Sequence, residues 1–226
     1  MSPPALRFRR VVVVSPHLDD GVFSLGAAVS HSTRRGAEVT MLTVLAGDPE
    51  SPLPAGDWDQ WGGFTTAGEA AHARRQEDAR ACALIGARPV WLPFSDEQYD
   101  RGADDATIWA AICDAVRGAD AVLVPASPLK HADHRWLRRL VDERGFPGVT
   151  LGHYREQPYA GLLPNYRGAE LPASARRLAA SPRDWLAKAR ACRAYVSQVP
   201  LFGRAPVARM LAYELRQRGE RVAWLG

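Results

Sequence analysis

The chain has 226 residues, 46% hydrophobic and 24% charged, with 29 Lys and Arg against 25 Asp and Glu for a formal net charge of +4. These fractions belong to an ordinary globular domain and exclude collagen-like, coiled-coil and disordered chains; no run of 18 apolar residues is present to span a membrane. Lys130 and Lys188 are the only lysines, so the positive charge is arginine, dispersed among acids rather than massed, which argues against a nucleic-acid surface.

The length fits one domain over residues 1–226. Arg10–Ser15 is a β-branched run that predicts a strand buried on both faces. Residues 22–35 predict a helix stopped by Gly36, and residues 38–45 a second strand. A charged helix follows over 69–85, ended by Gly86, then a third strand over 89–92. Residues 105–117 read as helix, 121–124 as a fourth strand, 134–144 as helix and 148–151 as a further strand. Ser181-Pro182-Arg183-Asp184 carries a helix-start pattern, with Trp185, Ala189, Cys192 and Val196 on one face beyond it. A last helix over 206–218 stops at Gly219 before a short strand over 222–224. Strands alternating with helices predict an α/β fold: a Rossmann-like single domain whose mostly parallel sheet is flanked by helices.

Two long irregular stretches, 47–68 and 154–174, have the length of functional lids. The first contains Trp58 and Trp61, aromatics suited either to stacking on a sugar ring or to anchoring the loop; the second contains Tyr159, Asn165 and Tyr166. Cys82, Cys113 and Cys192 are far apart with no CxxC spacing, which fits a reducing cytoplasm rather than a disulfide framework. The apolar run Val11–Val14 is too short for a signal peptide.

The chemistry concentrates in two clusters. Ser15-Pro16-His17-Leu18-Asp19-Asp20 falls at the C-terminal end of the first strand, where open α/β sheets place their ligand crevice. His17 and Asp20, three apart, can aim at one point from a tight turn, which leaves Asp19 free to act as a base. A helix N-cap would account for one of these acids and leave the histidine and the second acid unexplained. His131-Ala132-Asp133-His134 follows the fourth strand and reaches the same edge. Together the clusters supply His, Asp and His, a set suited to zinc with open positions, or to iron or cobalt.

The two motifs resemble those of the PIG-L or LmbE-like zinc-dependent de-N-acetylase superfamily, usually His-Pro-Asp-Asp-Glu and His-Pro-Asp-His. Here they read His17-Leu18-Asp19-Asp20-Gly21 and His131-Ala132-Asp133-His134. The segments Arg74-Arg75-Gln76-Glu77 and Arg193-Ala194-Tyr195-Val196-Ser197-Gln198 share the likeness. The resemblance implies removal of an N-acetyl group from an amino-sugar-containing small molecule or glycoconjugate, with zinc as cofactor and an N-acetylated sugar or glycoside as partner. It makes His17, Asp20 and His134 the metal ligands and Asp19 the general base. It makes a protonated His131 the group that steadies the oxyanion or assists the leaving amine, and Asp133 the residue that orients a histidine. It implies sugar contacts from Arg74 or Arg75 and from Asp96. Tyr154 and Glu156, read as following the fifth strand, are further candidates to close the site.

A dinucleotide oxidoreductase would need GxGxxG after the first strand, where this chain has SPHLDDGVFSLG. The alternatives that remain are a metal-dependent hydrolase of another amide or of a phosphoester, and a catalytically silent binding protein of the same fold.

Overall fold

Four consecutive valines set the centre of the molecule. In the computed structural model, which describes residues 7–126, 131–162 and 171–225, β1 (Arg10–Ser15) sends Val11 and Val13 into one core and Val12 and Val14 into the other. That division is the two-residue period of a strand buried on both faces. β1 pairs in parallel with β2 (Glu38–Thr43). Beyond β2 lies β3 (Arg88–Trp91), also parallel. On the other side β1 pairs with β4 (Ala121–Pro125), and β4 with β5 (Thr150–Tyr154), both parallel. β6 (Arg176–Arg177) and β7 (Arg221–Trp224) complete the sheet, β7 antiparallel to β5 and β6 antiparallel to β7. The order is β3-β2-β1-β4-β5-β7-β6, so the winding direction reverses between β1 and β4. This is an α/β, Rossmann-like architecture.

The helices, in chain order, are α1 (Asp20–Thr33), α2 (Asp57–Trp61), α3 (Ala67–Ile85), α4 (Asp105–Ala115), α5 (Ala132–Arg144), α6 (Tyr159–Leu162), α7 (Pro182–Cys192) and α8 (Pro206–Arg216). One face of the sheet is covered by α1, α3, α7 and α8 through Phe23, Leu25, Cys82, Ile85, Cys192 and Met210. The other is covered by α4 and α5 through Ile108, Ile112, Leu137 and Leu140. Helix ends follow their local chemistry. Gly86, at φ 74°, closes α3 in the left-handed region that glycine adopts without strain. Ser181 and Asp184 form a reciprocal capping box at α7.

A buried ion trio joins the first-face helices. Lys188 of α7 donates to Glu214 Oε2 at 2.6 Å and to Glu220 Oε1 at 2.7 Å. Glu220 also accepts the backbone N–H groups of Ala27 and Ala28 in α1, at 3.0 and 2.6 Å. Asp184 accepts from Ser30 Oγ and Arg34 Nε, both at 3.0 Å, and so ties α7 to α1 a second time.

The structure departs from the sequence expectations in several places, among them the unexpected short strand β6. The helix expected over 134–144 begins at Ala132, so Asp133 and His134 lie in its first turn. The fifth strand runs to Tyr154 instead of ending at Leu151, because Gly152 lets it pack flush: a Cβ there would lie 2.7 Å from Leu123 Cδ2 and 2.8 Å from Val222 Cγ1. Val196, expected on the apolar face of α7, falls beyond the end of the helix and is 65% exposed. Both irregular stretches contain helix, α2 in the first and α6 in the second; Asn165 and Tyr166 lie outside the described residues. Cys82, Cys113 and Cys192 are free thiols. Among the described residues, no helix is long and apolar enough to cross a membrane.

Candidate metal centre and active-site cavity

The loop from β1 into α1 is folded by its own polar groups. Ser15 Oγ donates to the His17 carbonyl at 2.8 Å and accepts the Gly21 N–H at 3.1 Å. The His17 N–H donates to Asp20 Oδ2 at 3.1 Å. Asp19 occupies the N-cap position of α1, yet its carboxylate makes no capping bond. It has no hydrogen-bond or ion-pair partner among the described residues although it is only 8% exposed, and it lines the cavity. The neighbouring Leu18 carbonyl accepts from the buried Tyr195 hydroxyl at 2.9 Å, and that hydroxyl is 2.7 Å from Asp78 Oδ1. Ser197 bonds Glu77 through both its N–H and its hydroxyl. The two segments flagged for their family likeness therefore meet, and they brace this loop from behind.

The second cluster enters at the start of α5. His131 is the N-cap residue and makes no side-chain cap, so its ring turns to the cavity. The ring centroids of His17, His131 and His134 lie 4.9 to 5.1 Å apart, and their ligand nitrogens all fall within 4.8 Å of one another. Asp20 Oδ2 is 3.2 Å from His17 Nδ1 and 3.5 Å from His134 Nε2. Ligand atoms about a tetrahedral zinc stand about 3.4 Å apart, so His17, Asp20 and His134 fit a metal of that kind. His134 Nδ1 is held by the buried Glu156 carboxylate, which fixes the ring with Nε2 inward, the support that metal-ligating histidines ordinarily have.

Asp133 reaches His17 rather than His131 or His134. Its Oδ2 accepts from His17 Nε2 at 3.1 Å and from the Glu97 N–H at 3.0 Å, and its Oδ1 accepts from Arg101 at 2.5 Å. Burial opposes its charge, but His17 and these donors hold its pKa below the carboxylate range. Burial likewise opposes the charge of Asp20, and His134 and His17 outweigh it to lower the pKa. Asp19 is shifted the other way, pushed up by burial and by the adjacent Asp20 charge. His131 is lowered to about 4 by burial and by His17 and His134. This shift runs against the protonated form expected from the sequence.

A cavity of about 250 Å³ opens over this centre. Asp96, Arg74 and Trp58 line it, with Tyr159 of the second long stretch and Gln198 of the C-terminal family-like segment, and with Glu97, Gln98 and Phe202, which the sequence did not single out. Arg74 pairs with Asp59 of α2 at 2.6 Å. Trp58 is clamped by its N–H to Gln98 Oε1 and its indole Nε1 to Gln198 Oε1, each at 2.8 Å. Four other candidates lie elsewhere. Arg75 donates to the Ala46 and Gly47 carbonyls and braces the start of the first long loop. Trp61 is 68% exposed and does not line the cavity. Tyr154 is fully buried in β5 and donates to the Val14 carbonyl at 3.0 Å. Glu156, also buried, faces His134 and not the cavity.

Fold and centre together define an α/β protein with a His/Asp cluster at the switch point of its sheet that could hold a metal ion. Residues 12–144 match the family model described as PIG-L, GlcNAc-PI de-N-acetylase. The chain belongs to the PIG-L family. Over 180 residues it is 33% identical to the 2'-N-acetylparomamine deacetylase of Streptomyces fradiae, covering 69% of this chain and 60% of the length of that relative. It is also similar to the solved structure of the A40926 pseudoaglycone deacetylase Dbv21, at 27% identity and a TM-score of 0.76, covering 96% of each chain. A triple mutant of the teicoplanin-pathway deacetylase Orf2 matches at 26% identity and a TM-score of 0.79, over 95% of this chain and 96% of that one.

Proposed function

We propose that the protein is a metal-dependent N-deacetylase that hydrolyses the acetamide of an amino-sugar-containing small molecule to acetate and a free amine. The observation that carries this reading is Asp19, a buried carboxylate with no hydrogen-bond partner among the described residues, beside three side chains that converge as ligands. The relatives named as deacetylases of 2'-N-acetylparomamine and of the A40926 pseudoaglycone support it. In this reading His17, Asp20 and His134 hold the metal, zinc by the donor set, with ferrous iron or cobalt also served by imidazole and carboxylate. A divalent metal there supplies Lewis acidity toward the amide carbonyl and activates water. Asp19 takes a proton from the attacking water and returns it to the departing nitrogen as the C–N bond breaks. The neutral His131 donates its ring N–H to the oxygen that gains charge in the transition state. Trp58 and Arg74 orient the sugar, and the free thiols fit a reducing, cytoplasmic setting.

Metal analysis of the purified protein, followed by an acetate-release assay on a panel of N-acetylated amino sugars, tests the assignment. Stoichiometric metal and amine-coupled acetate release are expected; metal-loaded protein that releases no acetate from any panel member would overturn it. Glu156 carries a separate expectation. Replacing it in Glu156→Gln removes the carboxylate that fixes His134, and zinc affinity should fall by about 10–100-fold. Competition with a chromophoric chelator measures this, and an unchanged affinity would remove Glu156 from the support of the centre.

A further inference from the structure

The protein as a whole carries a net charge of +4, yet its cavity is acidic. Asp19, Asp20, Asp96 and Glu97 line it, against one guanidinium, that of Arg74. Arg74 is already neutralised by Asp59 at 2.6 Å. A divalent metal would be balanced by Asp19 and Asp20, which leaves the rim carboxylates Asp96 and Glu97 without a compensating cation among the described residues. Asp96 is partly engaged, accepting from the Gln98 N–H at 3.0 Å and from the Gln98 side-chain amide. Glu97 is not. Its side chain is 46% exposed and, among the described residues, is paired with His131 Nδ1 alone, at 3.6 Å, while its backbone N–H is pinned to Asp133. An anchored residue therefore presents an available carboxylate at the mouth of the cavity.

The aromatic wall has the same preference. Trp58 and Phe202 line the cavity with ring centroids 5.8 Å apart, and the Trp58 ring is held in place by Gln198. The negative face of an indole attracts ammonium groups, most strongly at partly desolvated positions. Carboxylates and a fixed indole around one cavity, with its arginine internally paired, form a site for cations and repel phosphate or carboxylate ligands.

From this geometry we infer that the substrate is a polyamino sugar: besides the N-acetyl group at the metal centre it carries free ammonium groups, one of which is received by Glu97 with Asp96 at the rim. This inference rests on the deacetylase reading and narrows it from amino sugars in general to cationic ones. Glu97 is thereby a specificity-determining residue.

Calorimetric binding to the slow, zinc-loaded Asp19→Ala variant and acetate release by the zinc-loaded protein would be measured with three probes: 2'-N-acetylparomamine, which is cationic, neutral N-acetylglucosamine, and anionic N-acetylglucosamine 1-phosphate. At low ionic strength the cationic probe is expected to bind at least about 10-fold more tightly than the neutral one, and the anionic probe most weakly. Raising NaCl to about 0.5 M should compress the ratio, because surface-accessible charge pairs are screened over about a Debye length. Glu97→Gln should lower the cationic-to-neutral ratio in both Kd and kcat/KM by about 3–10-fold, with an unchanged melting temperature. Equal affinities for all three probes, a preference for the phosphate, or a ratio insensitive to Glu97→Gln would each overturn the inference. If the charge preference in binding is present but no probe releases acetate, the deacetylase reading fails while the cation site stands.

Discussion

An Asp19→Ala variant is expected to retain its metal and to release acetate at least about 100-fold more slowly, whereas His134→Ala is expected to lose the metal itself. The two residues sit within one cavity but differ in what their removal leaves behind. The Asp19 carboxylate has no hydrogen-bond partner among the described residues, so its deletion strands no donor and the fold should tolerate it. What is lost is a positioned base, and a positioned acid–base group contributes about 100- to 10,000-fold. His134, by contrast, is fully buried between Asp20, 3.5 Å away, and Glu156. Its deletion removes a ligand and leaves two buried carboxylates without the group that stood between them. Metal content by mass spectrometry, together with kcat, separates the cases. Equal metal loss in both variants would mean that Asp19 is a ligand and not the base.

The largest loss of stability is expected at Lys188. It is fully buried, and Glu214 and Glu220 close on it at 2.6 and 2.7 Å. Lys188→Met keeps the packing of the stem against Gly26, whose Cβ position lies 3.0 Å from Lys188 Cγ, but leaves two acids facing each other. Removing one partner of a buried ion set costs about 3–5 kcal/mol, and for a chain of this length the melting temperature should drop by roughly 6–20 °C. The exposed pair Arg117–Asp114 is the contrast: Arg117→Met should have no measurable effect, as is usual for surface ion pairs. A drop for Lys188→Met no larger than that for Arg117→Met would show that the trio contributes nothing. The trio also sets a pH dependence. Burial raises the Glu214 pKa above the usual carboxylate range, with Lys188 opposing and Glu220 adding to the shift. The folded state then keeps a proton that the unfolded chain releases above about pH 4.3, so this contribution is lost as pH rises through the folded pKa. Glu214→Gln should flatten that slope.

Much of this was legible because the local signals are strong. The valine run, Gly86 and the Ser181–Asp184 box each fix an element from within a few residues. The two His/Asp clusters could be placed at one sheet edge because each directly follows a strand. Legibility ended where partners come from far along the chain. Gln198 and Phe202 reach the cavity from beyond α7; the segment ending at Gln198 carried a family likeness without a role, and nothing near Phe202 in sequence announces its place. Glu156 looked like a rim acid because its strand was placed too early; a polar His153 and a glycine within β5 hid a buried strand. Its orientation toward His134 follows only from the pairing of β4 with β5. Arg74 and Arg75 are adjacent on a helix and so point to different sides, one to the cavity and one to the Ala46 and Gly47 carbonyls.

Asp133 is where the first motif, the second motif and the loop after β3 share one carboxylate, through His17, its own helix and the Glu97 N–H. Its substitutions will therefore be epistatic with changes at either end. A variant at position 133 disturbs a metal ligand and the rim in a single step, so its effect cannot be summed with those of His17 or Glu97 variants. A scan that scores residues one at a time would rank Asp133 with the ligands, though its role is to keep two distant stretches of chain in register with each other.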